Sequence, residues 1–256
     1  MSMASQALPY IRGISPYLPG KPITQLSREM GIPQEQIIKL ASNENPLGMS
    51  PLARRAIEAA LAGAERYPDQ FELVAALAER HGVAAGQIVL GNGSNDLLDL
   101  AARVFLSAGR SSVVAEYAFA IYALVTGITG GETIAAPARH YGHDPATMLA
   151  AIRPDTRVLW IANPNNPTGT FLPYADVRAL IERIPPHVVV VLDEAYTEYL
   201  PPAERVDSVA WVRDFPNLVV TRTFSKIYGL AGLRVGYAVA HAAVADLMNR
   251  VRQPFN

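Results

Sequence analysis

Lysine is scarce in this chain. Only Lys21, Lys39 and Lys226 are lysines, and the other 19 of the 22 basic residues are arginines. Lys226 lies in "TRTFSKIYGLAGLRVGY", between an apolar run and a pair of glycines. A guanidinium never loses its proton in a protein. A lysine amine in suitable surroundings does, and it then condenses with a carbonyl to form a Schiff base. Asp193 is the second residue with chemical potential. It follows the run "VVVVL", and a carboxylate at the end of a buried strand is costly unless paired. A cationic ring nitrogen would be one suitable partner. A helix cap or a structural ion pair would be another.

Further polar groups follow other apolar runs. After "IVL" come Gly91-Asn92-Gly93-Ser94-Asn95-Asp96, after "VLWIA" comes "NPNNPTG" (163–169), and after "LVV" come Thr221, Arg222, Thr223, Ser225 and Lys226. Each has an ordinary reading beside a functional one. "GNGSND" could begin a dinucleotide fingerprint, but Asp96 stands where the third glycine belongs. It suits a lone phosphate better, held by free backbone N–H groups at a helix start, and a plain turn capped by Ser94 is the bland alternative. "VVVVLDE" looks like a Walker B strand. Its P-loop partner is missing, because the one Gly-Lys, Gly20-Lys21, is followed by Pro22 and Ser15 holds the first-glycine place. "NPNNPTG" is a good turn, and it could also present the amide of Asn166, stiffened by Pro167. His140 and His143 are read as surface histidines, since only Asp144 stands near them as a further ligand.

The elements that must position these groups alternate. Strands are expected over "QIVLG", "SSVVAE", "RVLWIA", "HVVVVLDEAY", "NLVVTRTF" and "LRVGYAVA". Helices are expected over "SNDLLDLAARVFL", "FAIYALVTGITG", "PYADVRALIERI" and "AAVADLMNRVR". Repeated strand–helix units predict an α/β fold, a mostly parallel sheet with helices on both faces. Ligands of such sheets bind beyond the carboxyl ends of the strands, so the polar tips converge on one site. Ahead of this region two amphipathic helices are expected: "MSPLARRAIEAALAG", with Ser50 as cap and Pro51 at the first position, and "FELVAALAERHG", closed by Gly82. Residues 1–48, rich in Pro, Gly and Ser, read as an extended arm.

The 256 residues are half hydrophobic and 18% charged, with a formal net charge of −1. That composition is globular, and its balance gives no electrostatic case for nucleic acid or a membrane surface. With no cysteine, disulfides and thiolate metal sites are excluded, which fits a reducing compartment. The N-terminus has no continuous apolar stretch, so neither a signal peptide nor a membrane span is expected, and a cytoplasmic protein is the default.

Taken together, the tips resemble the fold type I aminotransferases dependent on pyridoxal 5′-phosphate (PLP). The carriers are Ser225-Lys226 with Arg234 eight residues on, preceded in the family's order by "NNPTG" and "DEAY". More narrowly, "PYLPGK" (16–21), "KLASNENPLG" (39–48), "RYPD" (66–69) and "GNGSNDLLDL" (91–100) resemble the branch that acts on histidinol phosphate. Aromatic aminotransferases and a threonine-phosphate decarboxylase are close relatives. The resemblance implies that Lys226 holds PLP as a Schiff base and later moves the proton between Cα and C4′, with Arg234 helping to depress its pKa. It implies that Asp193 pairs with the pyridine nitrogen, that Asn166 and Tyr196 hydrogen-bond the ring hydroxyl, and that Phe119 stacks on the ring. The phosphate would lie among Ser94, the backbone N–H groups of Asn95 and Asp96, the hydroxyls of Thr223 and Ser225, and Arg234. Tyr67 would reach the phosphate of a neighbouring subunit, making a homodimer, and Tyr17 and Asn43 would face the substrate. No metal is implied.

The implied reaction is ping-pong, between L-histidinol phosphate and 2-oxoglutarate. An aromatic-amino-acid aminotransferase, a phosphothreonine decarboxylase and a non-catalytic PLP-fold protein are the alternatives. In domain terms, 1–48 would be the arm with part of a small domain and 49–256 the PLP-binding large domain. Two departures stand out. Tyr117 holds the place of a proline usual two residues before the stacking aromatic. The family's C-terminal small domain, with its arginine for the substrate's carboxylate or phosphate, would lie beyond Asn256.

Overall fold

The computed structural model describes residues 2–256. The arm carries α1 (Pro9–Arg12) and α2 (Ile23–Met30), followed by α3 (Pro51–Ala60) and α4 (Phe71–His81). Ser50 Oγ accepts from Ala53 N at 3.1 Å with Pro51 just inside the helix, and Gly82 ends α4 at φ 61°. Both ends are as the sequence predicts, because a short hydroxyl satisfies an orphan N–H and glycine takes the left-handed turn freely. The arm is less extended than expected, since α2 gives it a two-turn helix. It remains peripheral, and none of the described residues of 2–48 is buried.

The body is one seven-stranded sheet in the order β1-β7-β6-β5-β4-β2-β3. Its strands are β1 (Ile88–Asn92), β2 (Ser111–Ala115), β3 (Glu132–Ala136), β4 (Thr156–Ala162), β5 (Val189–Asp193), β6 (Leu218–Thr223) and β7 (Val235–Ala240). Only β7 runs antiparallel to its neighbours, β1 and β6. The reversal matters for function: it brings the N-terminal end of β7, just after Arg234, to the edge where the other strands have their carboxyl ends.

Along the chain the helices α5 (Ser94–Phe105), α6 (Ala120–Ile128), α7 (Pro145–Ala150), α8 (Tyr174–Arg183) and α9 (Ala242–Val251) cover the sheet. Alternation along each strand divides the core. Val190, Leu192, Val220 and Val239 pack with Val177, Leu180 and Ile181 of α8 on one face. Val191, Val219, Ala238 and Trp160 pack with Leu97, Leu98, Tyr122 and Met248 of α5, α6 and α9 on the other. β3 and α7 were not expected. β3 is an edge strand with only Ala136 buried, so "ETIAA" carries no apolar run to betray it.

Candidate active site

A cavity of about 530 Å³ opens at the carboxyl edge of the sheet. Its lining brings together Tyr17, Asn43, Ser94, Asn95, Phe119, Asn166, Asp193, Tyr196, Thr223, Ser225, Lys226 and Arg234. Of the residues that the family resemblance implies, Asp96 and Tyr67 are not on its wall, and of the strand-tip residues neither are Thr221 and Arg222.

One end of the cavity is an anion cradle. Gly93 turns the chain from β1 into α5 at φ 77° without a side-chain cap, which leaves the first-turn N–H groups of Ser94 and Asn95 free. Ser94 is therefore the first residue of the helix, not its cap. Arg234 stands against this turn. Its Nη2 donates to Asn92 O at 3.1 Å, and its Nη1 donates to Ser225 Oγ at 3.2 Å and to Ala231 O at 3.1 Å. Arg234 itself is left-handed at φ 54°, a conformation that costs a non-glycine residue of order 1–3 kcal/mol and recurs at ligand sites. A Cβ on Gly93 would lie 2.5 Å from Arg234 Nη2, and one on Gly236 would lie 2.6 Å from Ser94 N. Glycine at both places lets the arginine and the helix start converge. Thr223 Oγ1 accepts from Ser225 N at 3.1 Å, fixing the turn that leads to Lys226. Asp96 closes the same turn from outside: its Oδ2 accepts from Asn92 N at 3.0 Å and from Asn256 Nδ2 at 2.6 Å.

The other end holds Asp193, 5% exposed. Tyr122 Oη donates to its Oδ2 at 2.8 Å and Thr221 Oγ1 donates to its Oδ1 at 3.0 Å. Burial raises its pKa against both hydrogen bonds. The ionised form therefore has two neutral donors and would gain from a cation in the cavity. Lys226 Nζ donates to Ser42 O at 2.8 Å and lies 5.5 Å from the Tyr196 ring centroid. Its pKa is lowered, chiefly by burial; Glu44 opposes this and Arg234 adds to it. Burial, not the arginine, is thus the larger cause.

The arm closes the mouth. Asn43 Nδ2 donates to Tyr196 Oη at 3.1 Å and Asn45 Nδ2 donates to Ile227 O at 2.7 Å. The three asparagines of "NPNNPTG" divide their work. Asn163 bonds both ways to Leu172 and Asn165 donates to Tyr117 O, while Asn166 lines the cavity. The Asn163–Pro164 and Asn166–Pro167 bonds are both cis. Tyr117 turns outward onto Tyr141, with ring centroids 5.1 Å apart. Phe119 still reaches the cavity wall, edge-on to Tyr122 at 5.8 Å. Tyr67, 76% exposed, stacks on Phe255 at 4.2 Å.

Sequence reasoning missed Tyr122 and undervalued Thr221. Tyr122 stands one helical turn beyond Phe119 in "FAIY", and that spacing was its signal. His143 is a correction. It is buried, its Nε2 accepts from Ala162 N at 3.3 Å, and burial depresses its pKa to about 4, so the ring is neutral. A histidine among loop residues looks solvated until the β4 end packs over it. Among the described residues no cluster of three His, Asp or Glu could hold a metal.

The family model for aminotransferase class I and II matches residues 35–256. The chain belongs to that family. Histidinol-phosphate aminotransferase 1 of Dechloromonas aromatica is 72% identical over the whole of this chain and 71% of that protein. Histidinol-phosphate aminotransferase 2 of Nitrosospira multiformis is 62% identical over the whole of this chain and 66% of that protein. The crystal structure of the Sinorhizobium meliloti histidinol-phosphate aminotransferase with PLP superimposes with a TM-score of 0.86 at 30% identity, covering 98% of this chain and 67% of that one. This aminotransferase chain thus spans about two thirds of the length of the proteins it matches.

Proposed function

We propose that this aminotransferase chain carries the PLP site of a histidinol-phosphate aminotransferase, which moves the amino group of L-histidinol phosphate to 2-oxoglutarate to give imidazole acetol phosphate and L-glutamate. The observation that carries the reading is the conjunction in one cavity of a depressed lysine amine, a buried carboxylate and a helix-start anion cradle. PLP fits this donor set. Its phosphate suits the Ser94–Asn95 turn with Arg234 and Ser225, and its ring nitrogen, once protonated, gives Asp193 the cation it lacks. Bound PLP supplies an aldehyde conjugated to an electron-withdrawing ring.

The chain's own groups do the rest. Asp193, held by Tyr122 and Thr221, would keep a proton on the ring nitrogen. Lys226 Nζ would hold the cofactor and, as a neutral amine beside the substrate's α-carbon, would serve as the group that accepts and returns a proton there. Both tasks need the neutral amine that burial favours. Asn166 and Tyr196 would hydrogen-bond the ring hydroxyl and Phe119 would cover the ring face; all three line the cavity. Tyr17 and Asn43, on the arm at the mouth, face the donor. The identity to the Dechloromonas protein supports histidinol phosphate as that donor. Exposed Tyr67 suits a neighbouring copy in a homodimer, and a cytoplasmic location completes the proposal. Among the described residues no helix is long and apolar enough to cross a membrane.

The test is a half-reaction. The PLP-loaded chain, mixed with L-histidinol phosphate, is expected to lose its visible absorption band, and 2-oxoglutarate is expected to restore it. A faster or more complete loss with phenylalanine would contradict the donor assignment. Release of carbon dioxide with the band unchanged would point to a decarboxylase.

A further inference from the structure

Behind the cavity, on the opposite face of the sheet, lies a buried ion pair that the chemistry above does not use. Glu194, 0% exposed, immediately follows Asp193; Arg222, 13% exposed at its side chain, stands between Thr221 and Thr223. Arg222 Nη2 meets Glu194 Oε2 at 2.5 Å, and its Nη1 is 3.5 Å from Glu198 Oε1. Tyr174 Oη and Ser208 Oγ donate to Glu194 Oε1 at 2.6 and 2.7 Å. Backbone pairing links the same tips, with Glu194 N donating to Thr221 O at 3.0 Å.

Strand alternation puts these two charges on one face and Asp193, Thr221 and Thr223 on the other. The pair therefore bridges the ends of β5 and β6 one residue from the groups that face the cavity. Its benefit is not stability as such. Taking two charges out of water costs more than a neutral, well-packed replacement, and among the described residues Arg222 Nε finds no hydrogen-bond partner at all. A buried pair earns its place more readily by fixing one arrangement.

We propose that Glu194 and Arg222 are positioning residues. The pair locks the β5 and β6 tips in register, so that Asp193 meets the ring nitrogen of PLP while Thr223 and Ser225 meet its phosphate end. Through the neighbouring residues, it sets how tightly and in what orientation the cofactor is held. The inference rests on the PLP reading above.

The test replaces both charges at once, Glu194→Gln with Arg222→Met, so that neither member of the close pair is left buried without the other; Glu198, 19% exposed at its side chain, loses only its longer contact with Arg222. The melting temperature of the ligand-free chain is expected to stay within about 4 °C of wild type or to rise. The PLP dissociation constant is expected to increase roughly tenfold. The visible circular dichroism of bound PLP, which reports the orientation of the ring, is expected to weaken. Arg250→Ala, which breaks an exposed pair with Asp246, is expected to change neither. Ser208→Ala keeps both charges and removes one hydroxyl that orients Glu194; it serves if the double variant does not fold, and is expected to move affinity and dichroism in the same direction. A folded double variant, or Ser208→Ala, with wild-type affinity and dichroism overturns the inference and leaves the PLP reading intact. A wild-type chain that takes up no PLP overturns both.

Discussion

At the residue scale the site rests on two groups whose protonation is displaced in opposite senses. Burial raises the pKa of Asp193, so the folded chain holds that proton more tightly than the unfolded one. Its ionised form is a burden on the ligand-free fold. The burden is absent below the ordinary carboxylate range and grows as pH rises through the raised folded value. Asp193→Asn keeps the bulk and removes the charge. It is expected to raise the melting temperature of the ligand-free chain at pH 7.5, by about 2–4 °C for each kcal/mol relieved, with a smaller gain at pH 4 and much weaker PLP binding. Scanning calorimetry and a PLP titration check both halves. For Lys226 the lowered pKa means that the charged amine is the destabilising form. That penalty is present below the folded value and fades as pH rises to that of an ordinary lysine. Tyr122→Phe takes a hydrogen bond from a buried carboxylate and is expected to cost about 1–3 kcal/mol in urea unfolding.

At the scale of elements, strand tips assemble the site and glycines let them approach. Gly93→Ala would place a Cβ against the Arg234 guanidinium at a left-handed φ. With ψ at 174° this backbone is open essentially to glycine alone, which costs an alanine about 1–3 kcal/mol, and the arginine must also move. The expected result is weaker binding of both PLP and inorganic phosphate, measured by isothermal titration, with Lys226 still able to attach the cofactor. Much of this scale was legible in the sequence. The apolar runs ending in Asp193, Thr223 and Asn92 marked β5, β6 and β1, and Ser94, Asn95, Asp193, Thr223, Ser225 and Lys226 at or after their tips lie on one cavity, while Glu194 turns to the opposite face. What escaped lacked an apolar signature or depended on packing across the sheet. β3 is a thin edge strand. Tyr122 reads as an ordinary helix residue until α6 lays it, stacked on Trp160 with centroids 5.3 Å apart, beneath Asp193. His143 looks solvated until β4 covers it. The hand of β7 was equally hidden, since one strand reads the same in either direction.

At the scale of the whole molecule, the chain divides into a sheet with buried faces and an arm that touches it at few points. The arm meets the body through polar bonds of Ser42, Asn43 and Asn45 and through Tyr10 and Ile14, which lie beside Gly130 and Gly127 at the end of α6, and none of its described residues is buried. Limited proteolysis is expected to cut within 2–48 before it opens the sheet, as residues with little burial unfold locally first. The central claim is that the amine of Lys226 and the carboxylate of Asp193 form one PLP site, and the scarcity of lysine makes it directly testable. With only three lysines in the chain, borohydride reduction of the PLP-loaded protein followed by peptide mass spectrometry gives an unambiguous position. A phosphopyridoxyl group is expected on Lys226 and on neither Lys21 nor Lys39. A label spread over all three lysines, or no label, would contradict it.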